Sequence, residues 1–190
     1  RLGLYSLKSE MEDIWLRYKE PAAFSEISEQ IARTIKGHDA EVQSFVAPIE
    51  EALTNAGFDF HIKKRVQTPY SIWNKIQNKR VTFDQVYDLY AIRIIFNPPT
   101  ASTESERDMC YHIFSIITGL YRYKPDRIRD WVKHPKNNGY EALHCTVMSN
   151  SGIWVEVQIR STRMNDIAEK GIAAHWAYKN DGYIGEDEHE

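Results

Sequence analysis

Two runs, YAIRIIF at 90–96 and IWVEVQIR at 153–160, do most to limit what this chain can fold into. The first is β-branched and apolar throughout, the composition of a central strand. The second alternates. Ile153, Val155, Val157 and Ile159 share one face, and Trp154, Glu156, Gln158 and Arg160 share the other. ALHCTVM at 142–148 repeats the device, with Leu143, Cys145 and Val147 opposed to His144 and Thr146, and Asn150-Ser151-Gly152 supplies a hairpin turn between the two. Such strands make a sheet with one apolar face for helices to cover. The other face presents a carboxylate and an imidazole in a partly enclosed setting.

Helical periodicity surrounds these strands. Leu4, Leu7, Met11, Ile14 and Trp15 predict a helix over 3–18, and Val42, Phe45, Val46, Ile49 and Leu53 fall within a second over 26–56. Gly37 and Gly57 read as C-terminal stops. Phe58, Phe60 and Ile62 then alternate as a half-exposed strand. Thr68 caps a helix that opens at Pro69 and runs to Asn78, and Thr82 with Gln85 has capping-box spacing for a short one. Residues 97–106 form a mobile Pro, Ser and Thr-rich loop, with helices over 107–120 and 162–178. The expected class is α+β, a mixed sheet flanked by helices with an N-terminal helical appendage. The chain divides into a helical segment 1–57, a mixed unit 58–180 and an acidic flexible tail 181–190.

The 190 residues are 42% hydrophobic and 27% charged, enough for a real core. No apolar run has membrane-spanning length and the charged start is no secretory signal, so a cytoplasmic protein without a membrane partner is expected. Cys110 and Cys145 lie in apolar stretches without CxxC spacing and read as reduced, buried thiols. The net charge of −3 is unevenly spread: residues 1–60 carry six Lys/Arg against eleven Asp/Glu, 181–190 none against five, and 61–180 eighteen against eleven. A basic middle in an acidic frame points to an anionic ligand, although charge alone does not separate nucleotide, RNA and a solvated surface.

Particular residues narrow the choice. A buried Glu156 needs a partner: a cation, a metal, or a structural pair with Arg160 or His144. Asp88 stands just before the 90–96 strand, and two carboxylates on neighbouring strands suit magnesium, although an aspartate there also suits a simple loop terminus. Arg127, Arg129, Lys133 and Lys136 put four cations in ten residues, interrupted by Asp130, as a phosphate cradle would. Tyr140, beside Lys136, Asn138 and Gly139, is placed to stack on a base, or else to fold back on the core. Ser71 and Lys75 share a helix face, Arg65 precedes them, and the free amides of a helix opening at Pro69 favour bound phosphate. There is no GxxxxGK[ST] and no GxGxxG, so a nucleotide would be held by side chains and a helix end.

RVQTPYSIWNK, FDQVYDLYAIRII, PDRIRDWVKHPKNNGYEALHCTV, VEVQIRSTRM and AEKGIAAHWAYK, in that order from Arg65 to Lys179, resemble the synthetase domain of RelA/SpoT-type (p)ppGpp synthetases. The start, RLGLYSLKSEMEDIWLRY, is similar to the stretch after the hydrolase domain of long members, which implies an internal fragment of a bifunctional protein. The resemblance implies a nucleotidyltransferase-like fold and transfer of diphosphate from ATP to the 3′-hydroxyl of GDP or GTP with release of AMP, in stringent-response signalling. It implies that Asp88 and Glu156 hold Mg²⁺ and that Glu156 is the candidate base. It places Arg65, Ser71 and Lys75 at ATP, and Tyr140, Asn138, Lys136, His144, Arg129 and Ala168 at the guanine nucleotide, with Arg93 close by.

The chain departs from the pattern at Gln67, where many members have lysine beside the ATP phosphates, and at Asn137, where proline is common. Residues 97–108 look longer than usual. Arg127-Ile128-Arg129-Asp130 resembles the R-x-K-D block of bifunctional members, which leans toward GDP. Nucleic acid is not an expected partner of this domain, and ribosome contact would belong to regions beyond it. Two other classes remain open: a catalytically silent guanine-nucleotide-binding regulatory module, and an RNA-binding domain.

Overall fold

The computed structural model describes residues 5–83, 90–99 and 105–171. Asp88, the short helix opening at Thr82, the middle of the 97–106 loop, the 172–178 end of the last helix and the acidic tail lie outside the described residues. The elements run α1 (Tyr5–Lys19), α2 (Pro21–Asn55), β1 (Asp59–Val66), α3 (Pro69–Lys79), β2 (Tyr90–Asn97), α4 (Glu106–Leu120), β3 (Arg129–Asp130), β4 (Leu143–Met148), β5 (Trp154–Ser161) and α5 (Thr162–Lys170). The five strands lie in the order β1-β2-β5-β4-β3. The β2–β5 pair at the centre is parallel and the others are antiparallel. This is the mixed sheet with helices read from the sequence.

Register sorts the sheet into two chemically different faces. One row runs Lys63, Arg93, Gln158, His144 and Arg129 across all five strands, and the next runs Arg65, Ala91, Glu156 and Thr146. Paired residues point to the same side, so these rows make one polar, largely cationic face. The other face carries Ile92, Ile94, Phe96, Val155, Val157, Ile159, Leu143, Cys145 and Val147, which share one buried cluster with Phe45, Val46, Ile49 and Leu53 of α2 and Met109, Cys110, Ile113 and Ile117 of α4. Each fully buried aliphatic there contributes about 1.5–3 kcal/mol relative to exposure. The predicted N-terminal helical region is present, and α2 is built into this core.

Three local expectations change. The second helix opens at Pro21, whose missing N–H costs nothing in the first turn, five residues earlier than the 26 expected. It does not stop at Gly37 but runs unbroken to Asn55, because Ile27 and Ile31 before the glycine and Val42, Phe45 and Val46 after it bury on the core. The apolar stripe outweighs the roughly 1 kcal/mol that a mid-helix glycine costs. Gly57 does terminate it: at φ +80° it lets the amides of Gly57 and Phe58 return to the carbonyls of Thr54 and Leu53.

The third change concerns α3. Thr68 caps it as expected, its Oγ1 accepting from the Ser71 amide at 3.3 Å. The Tyr70 amide donates to Asp13 Oδ1 of α1 at 2.9 Å, an approach supported by Trp15 against the Tyr70 and Trp73 rings. The amides of Tyr70 and Ser71, expected to be free for a phosphate, are therefore engaged within the protein. Ser105 and Ser161 cap α4 and α5, accepting from the amides of Asp108 and Met164. Among the described residues no helix is long and apolar enough to cross a membrane.

Candidate active site

The polar face centres on Glu156, whose side chain is 17% exposed, as is that of His144. Glu156 Oε1 accepts from Gln158 Nε2 at 2.9 Å and lies 3.3 Å from His144 Nδ1. Burial pushes its carboxyl pKa up, but the hydrogen bonds from His144 and Gln158 and the charges of His144 and Lys75 outweigh burial and bring it down to about 2. The carboxylate is thus ionised and partly dry. Of the two pairings left open by the sequence, that with His144 forms; Arg160 turns elsewhere.

His144 Nε2 lies 2.8 Å from the Tyr140 hydroxyl, which accepts from Arg160 Nη2 at 2.6 Å. Arg160 is only 3% exposed and its Nε has no hydrogen-bond partner among the described residues. It also makes a 3.3 Å bond to Gln158 Oε1, and its Cζ lies 4.9 Å from the Tyr140 ring centroid. Gln158 Oε1 also accepts from Arg93 Nε at 3.3 Å, and Arg93 pairs with Glu169 of α5. Gln158 and Arg160 were not singled out from the sequence as site residues, although alternation had put both on the Glu156 face.

Tyr140 sits on a loop that the fold braces closely. Gly139, at φ +77°, lets its amide return to the Lys136 carbonyl, and Asn138 Oδ1 accepts from the Tyr140 amide at 3.2 Å. Lys136 Nζ lies 4.9 Å from the Tyr140 ring centroid and 4.6 Å from that of Trp131. The ring is half-buried between cations, not locked in the apolar core. Arg129 pairs with His144 in register and donates to the carbonyls of Asp126 and Ile128. Ala168 is buried on α5.

On the other flank Gln67 Oε1 accepts from both Ser71 Oγ at 2.7 Å and Lys75 Nζ at 2.9 Å. The departure at Gln67 therefore has a structural consequence: the amide gathers these two donors. Arg65 is exposed in the row that contains Glu156.

Of the charged loop, Arg127 ends a short 3₁₀ turn. Asp130 faces the other side of the sheet, where its carboxylate accepts from the Tyr111 hydroxyl at 2.6 Å and from the amides of Lys133 and Val132 at 2.9 and 3.2 Å. Burial raises its pKa, but those hydrogen bonds and nearby His134 bring it below the ordinary 3.8. A depressed carboxyl stabilises the fold above its unfolded value, and that stabilisation is lost as pH falls through the folded one. Asp130→Asn is expected to cost about 1–3 kcal/mol at neutral pH, with the gap from the parent closing in acid. Urea unfolding of both proteins at neutral pH and below pH 3.8 measures this. Both thiols are buried and free, that of Cys145 pushed up to about 12 by burial and Glu156.

Among the described residues no three His, Cys, Asp or Glu gather as a cation cage. Glu156 Oε2 makes no hydrogen bond among them, which leaves one hard oxygen beside the cationic rows. That donor fits a divalent cation such as magnesium, which takes one or two carboxylates and completes its shell with water and phosphate. Asp88 precedes by three positions Ala91, the β2 residue registered with Glu156.

A model of the region found in RelA/SpoT proteins matches residues 64–183. The chain belongs to that family. Relatives within it include a guanosine-3′,5′-bis(diphosphate) 3′-pyrophosphohydrolase of Aquifex aeolicus, 37% identical over 94% of this chain and 25% of the relative. The GTP pyrophosphokinase of Escherichia coli K12 is 35% identical over 97% of this chain and 24% of its own length, and the same strain's bifunctional (p)ppGpp synthase/hydrolase SpoT is 35% identical over 96% and 25%. The chain thus spans about a quarter of the length of these RelA/SpoT relatives. Small alarmone synthetase 1 of Bacillus subtilis, in a crystal structure bound to its product pppGpp, shares the fold with a TM-score of 0.58 at 20% identity, over 80% of this chain and 83% of that one.

Proposed function

We propose that this domain is a (p)ppGpp synthetase, transferring the β,γ-diphosphate of ATP to the 3′-hydroxyl of GDP or GTP. The observation that carries the reading is Glu156: an ionised, mostly buried carboxylate with one oxygen unengaged among the described residues, set in a sheet face of cations between Lys75 and Tyr140. The relatives named as GTP pyrophosphokinase and (p)ppGpp synthase support it.

In this reading Ser71, Lys75 and Arg65 receive ATP. Tyr140 stacks on guanine with Ala168 opposite, while Asn138, Lys136, Arg129 and His144 line the guanine nucleotide's phosphates and sugar. The substrate's 3′-oxygen forms a bond to the β-phosphorus, the bond from that phosphorus to the oxygen bridging to the α-phosphate breaks, and AMP carries that oxygen away. Two nucleotides bring about six or seven negative charges together, so clustered cations are required. Glu156, with Asp88, would hold Mg²⁺, which when bound neutralises charge on the transferred phosphates. A carboxyl held down to about 2 binds a cation more readily than a proton. Any proton uptake by Glu156 is therefore transient, as the attacking hydroxyl becomes acidic in the transition state.

The test is incubation with Mg²⁺, labelled ATP and GDP or GTP, followed by chromatography. AMP with ppGpp or pppGpp is the expected result, dependent on the divalent cation. GDP binding without turnover would replace this reading by the silent regulatory module.

A further inference from the structure

Arg163, in the first turn of α5, takes no part in the proposed chemistry. Its guanidinium nevertheless makes four charge-assisted hydrogen bonds. Nη1 and Nη2 donate to Glu141 Oε1 and Oε2 at 3.0 and 2.9 Å, a two-pronged pairing, while Nε and Nη2 donate to Glu106 Oε2 at 2.8 and 2.6 Å. The three side chains are each less than a third exposed, so these bonds are stronger than those of a surface ion pair.

Placement gives the clasp its interest. Glu141 follows Tyr140 directly, Glu106 opens α4, and Arg163 shares α5 with Ala168. The two sides proposed for the base, the Tyr140 loop and α5, are therefore joined through one guanidinium. A planar fork gripping both carboxylate oxygens resists rotation as well as separation, which a single ammonium contact does not.

We propose that Arg163 is a positioning residue for the guanine nucleotide, fixing the Tyr140 loop at a set spacing from the α5 wall through Glu141. This rests on the reading of the pocket as a guanine-nucleotide site. Lys75 and Ser71 lie on α3, outside the clasp, and Glu156 is held by strand register. The effect therefore falls on one substrate alone.

Steady-state kinetics of Arg163→Met, Arg163→Lys and Glu141→Gln test it, alongside thermal melts and calorimetry with GDP. Arg163→Met is expected to raise KM for GDP roughly tenfold or more, with KM for ATP and kcat within about twofold of the parent. Arg163→Lys recovers part of the loss because it keeps charge without the fork. Unchanged KM for GDP, or equal losses for both nucleotides, overturns the proposal. If Arg163→Met does not fold, Glu141→Gln decides, since it leaves the Glu106 arm in place: an unaltered KM for GDP in that variant is fatal. Should the parent make no product, the synthetase reading fails on its own, and calorimetry judges the clasp. GDP binding that these variants do not weaken overturns it, and a parent that binds no GDP overturns both.

Discussion

Glu156→Gln is expected to lower product formation by roughly three orders of magnitude while the protein stays folded. The substitution keeps the side chain's shape, and a carbonyl oxygen can still accept from Gln158 Nε2, now 2.9 Å from Oε1. What disappears is the negative charge that Lys75 and His144 face, and with it the hard anionic oxygen offered to a divalent cation. Binding and chemistry should separate: calorimetry should still register GDP, since Tyr140 and Lys136 are untouched, while AMP release collapses. Radiolabelled ATP with chromatographic resolution of products measures the loss. A variant within about tenfold of the parent would remove Glu156 from the reaction's centre, because neither metal binding nor proton transfer is worth so little.

Tyr140→Ala is expected to raise KM for the guanine nucleotide by about 10–100-fold, the range for loss of one aromatic stacking surface. KM for ATP should hardly move. Tyr140→Phe separates the ring from its hydroxyl. The ring still stacks, but Arg160 loses its 2.6 Å acceptor, and that guanidinium is 3% exposed with Nε already unpartnered among the described residues. An additional unsatisfied donor so deeply buried costs about 1–3 kcal/mol, so the phenylalanine variant should melt early while retaining most of its guanine affinity. Kinetics of both variants with each nucleotide varied, together with denaturant unfolding, distinguish the effects. Equal KM changes for ATP and GDP in the alanine variant would detach the ring from the guanine site.

Much of the site was legible because β-strand alternation is strict. The spacing in IWVEVQIR put Glu156, Gln158 and Arg160 on one face and the core residues on the other, and the structure repeats that division strand by strand. Turn chemistry was legible at Gly57 and Gly139, where positive φ leaves little choice of residue. Contacts between distant segments were less so. Nothing near Pro69 announces that Asp13, 57 positions from Tyr70, occupies an amide that sequence reasoning assigned to phosphate. Gly37 misled because local propensity is weak beside an apolar stripe that buries on both sides of it. Gln158 and Arg160 went unassigned because alternation gives a face but not a partner; that Arg160 meets Tyr140 rather than Glu156 depends on how the loop folds back.

The parallel pairing of β2 with β5 also sets an order of events during synthesis. Arg93 and Gln158 are hydrogen-bonded yet 65 positions apart, and the intervening chain includes α4 and the β3–β4 pair. Local helices can form as they emerge, but distant strands must first meet at an entropic cost. A nascent chain halted before Trp154 would hold α2, α3 and α4 without the strand that carries Glu156. The carboxylate at the centre of the proposed site therefore joins the sheet only after most of the stretch from β1 to β5 has been made.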